Sequence, residues 1–167
     1  MNQSMGVLTS QGTVEWYTPP WIIDLARRLM GGIDLDPASS DKAQETVRAA
    51  RFYTQIEDGY SKPWSGRVWL NPPFDDTPRW VRRLSAAYED KDVTQAVLLV
   101  NSAPGYVWWE DLYRAYPVCL LRERVRFLRP DGTIGGQAKK GTTIAYLGPS
   151  LVDFKRLFTQ HGRIIHA

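Results

Sequence analysis

One tetrapeptide constrains this chain more than any other stretch. Val68, Trp69 and Leu70 have the apolar character of a buried strand, and Asn71-Pro72-Pro73-Phe74 follows without a gap. Proline fixes φ and lacks an amide donor, so the strand must stop there and the turn must be stiff. In open α/β sheets the carboxyl ends of the strands face the ligand crevice. Asn71 is therefore expected at that edge, its side chain and the freed carbonyls serving as acceptors and Phe74 as a flat apolar face. Such a set suits a planar amino group. The plain alternative is a Pro-Pro turn between strand and helix.

The rest of the pattern alternates helices and strands. Thr18-Pro19-Pro20 reads as a helix start with Thr18 as N-cap, and Ile22, Leu25, Ala26, Leu29 and Met30 form one apolar stripe before Gly31-Gly32. A short strand over 33–36 ends at Asp36-Pro37, a helix is admissible over 39–50, and 52–63 is loop-like. Thr77-Pro78 starts a second helix, with Val81, Leu84 and Tyr88 inward and Arg79, Arg82 and Arg83 on another face. The apolar run 95–101 suits a central parallel strand. A helix over 108–116, strands over 117–127 and 142–147, and a Gly-rich flexible loop over 131–141 follow. Ser150 and Asp153 approximate a capping box for a last helix, and 163–165 is a final strand. The fold class is α/β, a mostly parallel sheet flanked by helices, with the late strands open to antiparallel pairing.

At 167 residues the chain is expected to be one domain over 15–167, preceded by a flexible arm over 1–14. No apolar run reaches the length of a membrane span, and no signal peptide is apparent. A metal cluster is not expected, because Cys119 stands alone and His161 and His166 lie in the tail. Cys119, in the run Val118-Cys119-Leu120-Leu121, reads as a buried, inert thiol. The net charge of +3 permits a nucleic-acid partner without requiring one.

Taken together, several motifs resemble a family. Asn71-Pro72-Pro73-Phe74 matches the (Asp/Asn/Ser)-Pro-Pro-(Tyr/Phe/Trp) signature of amino-methyltransferases. Glu15-Trp16-Tyr17-Thr18-Pro19-Pro20, then Asp34-Leu35-Asp36-Pro37-Ala38, resembles the opening of the adenine-N6 subgroup. Phe52-x-Thr54, Asp58-Gly59, Trp64-x-Gly66 and Arg124-Val125-Arg126-Phe127 complete a likeness to the compact phage-type DNA N-6-adenine methyltransferases (the phage Dam family) over 15 to about 165. The chain departs from the wider class after Asp36-Pro37, where Ala38-Ser39-Ser40-Asp41-Lys42 lacks the usual glycines. Only 34 residues separate Asp36 from Asn71, so the expected fold is a partly truncated, Rossmann-like methyltransferase domain.

The resemblance implies S-adenosylmethionine (SAM) as cofactor and DNA with a flipped adenine as partner, in the cytoplasm of a bacterial or phage-infected cell. The implied catalytic residues are Asn71, Pro72, Pro73 and Phe74. Trp16, Thr18, Pro19, Asp36, Pro37 and Asp58 are the implied cofactor-binding residues. A carboxylate at Asp36 is a natural partner for the ammonium and sulfonium cations of SAM. Arg122, Arg124 and Arg126, alternating on one strand face, with Lys139 and Lys140, make a candidate phosphate-binding patch; a charged edge strand is the competing reading. Cytosine N4, an RNA base or a protein glutamine remain open as acceptors, as does a non-catalytic DNA-binding relic.

Overall fold

The computed structural model describes residues 16–166, so the expected arm over 1–14 lies outside them. Helix α1 (Pro20–Met30) buries the anticipated stripe, and Gly31, in the left-handed conformation at φ 77°, ends it by donating its amide to the Arg27 carbonyl. The helix begins one residue later than expected: Pro20 is its first residue, Pro19 holds the cap position, and Thr18 does not cap it.

Strand β1 (Leu35–Ser39) is wholly buried and runs on through Asp36-Pro37-Ala38 instead of ending there. Its pairing with β2 (Arg51–Thr54) is irregular between Asp36 and Ser39, so Pro37 sits where no ladder donor is required. Ser40 then caps helix α2 (Asp41–Val47), its hydroxyl accepting from the Ala43 amide at 3.2 Å. Strand β2 and a short 3-10 turn (Gly59–Ser61) occupy the stretch that read as loop. Strand β3 (Gly66–Leu70) ends at Asn71, as its prolines demand. Helix α3 (Thr77–Glu89), strand β4 (Val93–Asn101) and helix α4 (Val107–Ala115) follow as the pattern predicted.

Beyond α4 the structure departs from the sequence expectation. The 117–127 stretch is two strands, β5 (Val118–Leu121) and β6 (Arg126–Leu128), separated by a bend. The Gly-rich stretch is no flexible loop, because β7 (Ile134–Gln137) pairs with β6 as a separate hairpin. Val125, Phe127 and Ala138 plug that hairpin into the core, which pulls the chain away from the main sheet after Leu121. Strand β8 (Thr142–Leu147), helix α5 (Leu151–Phe158) and β9 (Gly162–Ile165) complete the chain. Ser150 precedes α5 with no side-chain capping bond; only its carbonyl accepts, from the Phe154 amide.

The main sheet has the order β2-β1-β3-β4-β8-β5-β9. β2, β1, β3 and β4 pair in parallel, and β8, β5 and β9 add on antiparallel, so β1 to β5 all point one way. One core lies between the sheet and α1 and α5, around Trp69, Val97, Leu99, Ile144 and Phe154. The other lies under α3 and α4, around Val68, Leu70, Leu98, Trp80 and Trp109. Asp34 and Arg67 tie β1 to β3 by a forked ion pair at 2.7 and 2.8 Å, which holds the Asp34 carboxyl below the usual carboxylate range.

Gly59 touches the backbone of the Asp36-Pro37 segment so closely that a Cβ there would lie 1.9 Å from the Pro37 carbonyl oxygen. Gly59→Ala must push the turn and β1 apart. A loss of about 1–3 kcal/mol is expected, the usual cost of overpacking, and urea titration of wild type and variant measures it.

Candidate active site

The carboxyl ends of β1, β3, β4 and β5 share one edge of the sheet, and Asn71 follows β3 there as Arg122 follows β5. Asn71 follows β3 and is 7% exposed. Strand alternation puts it on the same face as Trp69, under α1, where its amide nitrogen donates to the Thr18 hydroxyl at 3.4 Å. Thr18, itself 7% exposed, thereby orients the amide and leaves the Asn71 Oδ1 without a donor among the described residues. The next carbonyls divide in the same way. Pro73 accepts from the Asp76 amide and the Thr77 hydroxyl, and Phe74 accepts from Thr77. The Pro72 carbonyl has no such partner among the described residues. Two acceptors in sequence, Asn71 Oδ1 and Pro72 O, are thus left for a ligand. Phe74 lies half-buried beside them, and the Lys140 ammonium sits 5.1 Å from its ring centre.

Asp36 is the buried carboxyl of the site. Desolvation pushes its carboxyl up to about 7, against the opposing hydrogen bonds from Ser39, the Ala38 amide and Gln44. Gln44 Nε2 donates to Asp36 Oδ2 at 2.9 Å and to the Ser39 hydroxyl at 2.7 Å, while its Oε1 accepts from the Ala49 amide. No cation pairs with Asp36 among the described residues. Sequence reasoning had no signal for Gln44, which reaches Asp36 only because the strand runs on to Ser39 and α2 then folds back.

Thr18, Asp36, Trp69 and Asn71, with Tyr17 and the α2 residues Ala43, Thr46 and Val47, line a cavity of about 20 Å³. A buried carboxylate lacking a cation, next to hydroxyl and amide groups, suits the charged end of SAM in chemistry. The space holds about one water, so a whole cofactor requires the walls to part, and α2 forms one of them.

The remaining cofactor candidates are less convergent. Trp16 packs against the β6–β7 hairpin: a Cβ on Gly135 would fall 1.7 Å from its ring. Its indole N–H is buried without a partner among the described residues. Pro19 is buried at the α1 start and Pro37 lies in β1. Asp58 is exposed, in left-handed conformation at φ 51°, and accepts from the Ser61 hydroxyl. Trp64 holds this turn by donating to the Gly59 carbonyl at 2.8 Å, a packing role.

The basic residues are brought together by a different route from the expected one. Arg122 and Arg124 lie in the bend after β5, not on a strand, and Arg126 begins β6 in the hairpin, so strand alternation does not align them. All three nevertheless line one cavity of about 390 Å³, and Glu123, which strict alternation would turn to the opposite face, lines it too. A Cβ on Gly141, next to Lys140, would lie 3.5 Å from an Arg124 guanidinium nitrogen, so the two places are near neighbours. Lys139 and Lys140 are exposed. On α3, Arg79 lies 3.7 Å from the Tyr60 ring centre and Arg83 sits over Tyr60 and Trp64, so that face is largely a packed structural one. Burial pushes the Cys119 thiol up to about 12, as befits an inert core residue.

A five-strand unidirectional core with antiparallel late strands, and an acceptor-rich turn at its ligand edge, defines a compact Rossmann-like α/β domain. The chain belongs to the DNA N-6-adenine-methyltransferase (Dam) family, whose model matches residues 8–166. Membership makes it an enzyme of DNA adenine-N6 methylation. Comparison with curated proteins finds no match. Among the described residues no helix is long and apolar enough to cross a membrane, and no three His, Cys, Asp or Glu side chains cluster to hold a metal.

Proposed function

We propose that this chain transfers the methyl group of SAM to N6 of an adenine flipped out of DNA. The observation that carries the reading is the pair of unengaged acceptors at Asn71 Oδ1 and Pro72 O, fixed by Thr18 on one side and by two prolines on the other. The adenine amino group is a weak nucleophile because its lone pair is delocalised into the ring. Acceptors for both of its N–H bonds favour a pyramidal nitrogen and stabilise the positive charge that develops on it. Phe74 offers the ring face on which the base stacks, which requires the base to leave the duplex. SAM supplies an electrophilic methyl on a cationic sulfur. Asp36 answers that positive end, and Trp16, Thr18, Pro19, Pro37 and Asp58 are the other residues proposed to hold the cofactor. Arg122, Arg124, Arg126, Lys139 and Lys140 are proposed to bind DNA phosphates.

Incubating the protein with tritiated SAM and unmethylated duplex DNA, followed by nucleoside analysis, tests this directly. Label in N6-methyladenosine's deoxy form is expected. Label in N4-methylcytosine would move the acceptor to cytosine, and no label with no SAM binding would leave a DNA-binding relic.

The phosphate contacts have their own test. Replacing Arg124 and Arg126 together by alanine should weaken DNA binding equally for all sequences. The slope of log affinity against log salt should flatten by about two units, since each phosphate contact contributes roughly 0.9 on duplex DNA. Unaltered slope and turnover would leave the arginines as surface charge only.

A further inference from the structure

The cavity lined by Arg122, Arg124 and Arg126 contains more than charge. Trp21, in the first turn of α1 and 40% exposed, stacks on His161 with ring centres 4.9 Å apart and planes 25° apart. Both rings line the same cavity as the three arginines, together with Gln137 and Gln160. An indole left 40% in water is unusual for a residue that could have been buried, and here it is held flat by the imidazole behind it. None of the three guanidinium groups is in an ion pair among the described residues. A flat aromatic face beside unpaired cations, in a cleft of about 390 Å³, matches the chemistry of one nucleotide unit: base on ring, phosphate on arginine.

The position fits a strand that also reaches the methylation turn. The cavity opens at the carboxyl end of β5, on the same sheet edge as Asn71 after β3, with β4 and β8 between. Three strand spacings separate β3 from β5, about 14 Å. That is about four nucleotides along one strand of a duplex. Arg124 lines the cavity and lies near Gly141, the neighbour of Lys140, whose ammonium sits 5.1 Å from the Phe74 ring centre.

We infer that the Trp21–His161 pair is a base-stacking platform for an unpaired nucleotide of the DNA strand, a few positions from the methylated adenine. The inference rests on the reading that DNA is the substrate. It adds a contact with a base, which phosphate binding alone does not require.

The test is binding of the full chain to a 20-nucleotide oligothymidylate and to an abasic strand of equal length. Trp21→Ala should weaken oligothymidylate binding about tenfold, in the range of one lost stacking contact, with the salt slope unchanged. Trp21→Phe should stay within about twofold of wild type, and the abasic strand should bind all three proteins equally. Binding should also quench tryptophan emission in the wild type, with the Trp21 share of that quenching missing in Trp21→Phe. This keeps the test decisive if Trp21→Ala fails to fold. Equal oligothymidylate affinity in wild type and Trp21→Ala, equal losses on both strands, or quenching that does not depend on Trp21 would each overturn the platform. Methyl transfer that persists alongside such a result leaves the enzymatic reading standing. A Trp21-dependent preference for bases in a protein that transfers no methyl group would sink that reading instead and keep the platform.

Discussion

Replacing Asn71 by alanine is expected to lower methyl transfer by about 10²–10³ while SAM binding stays within several-fold. The magnitude is that of removing one preorganised group aimed at developing charge. Asn71 holds its amide in one orientation through Thr18, so the variant loses an acceptor that needs no reorganisation as the nitrogen becomes positive. Single-turnover rates at saturating SAM and DNA measure the loss, and near-full activity would refute the role of the tetrapeptide. Thr18→Val makes a finer companion. It keeps the shape but removes the oxygen that receives the Asn71 amide, so a smaller fall in rate with little change in SAM affinity is expected.

Asp36→Ala should weaken SAM binding by about 1.5–3 kcal/mol, the range for a hydrogen bond to a charged group. The buried carboxyl adds a pH signature. Its pKa in the folded chain, raised to about 7, exceeds the ordinary aspartate value, so the folded state holds a proton that the unfolded chain has already lost. In the absence of ligand, the stability this group contributes is present at acid pH and is lost as pH climbs from about 4 to about 7. A cationic ligand binds the ionised form. SAM affinity should therefore rise about eightfold between pH 6 and pH 7.5, a range in which an α-amino group is still largely protonated. Calorimetric titration across that range should give a rising curve for the wild type and a flat one for Asp36→Ala. A flat wild-type curve would show that Asp36 serves only β1 and α2.

Local chemistry made much of this legible beforehand. Asn71 stands at a strand end because Pro72 and Pro73 remove two consecutive ladder donors, whereas the single Pro37 is accommodated inside β1 at an irregular pairing. The stripe of α1, the apolar run of β4 and the helix starting at Thr77-Pro78 are similarly local. The basic segment departs from strand alternation because 117–127 breaks into β5 and β6. The hairpin core of Val125, Phe127 and Ala138 outweighs strand continuity there, and buried area contributed by residues 11 or more positions away leaves no trace in a short window. His161, which carried no constellation in the sequence, gains one only when α5 packs beside α1 and lays it on Trp21.

The sequence by itself determined the stiff Pro-Pro turn at a strand end, since an amide before two prolines and an aromatic after them is a property of four adjacent residues. It also determined which carboxylate to watch, Asp36, though not its state. Only the tertiary structure decided that Asp36 is buried without a cation among the described residues, that Thr18 turns the Asn71 amide instead of capping a helix, and that three arginines from a bend and a hairpin share a cleft with a stacked indole. Each of those depends on which faces are brought together by burying apolar surface, a long-range sum that no local motif encodes.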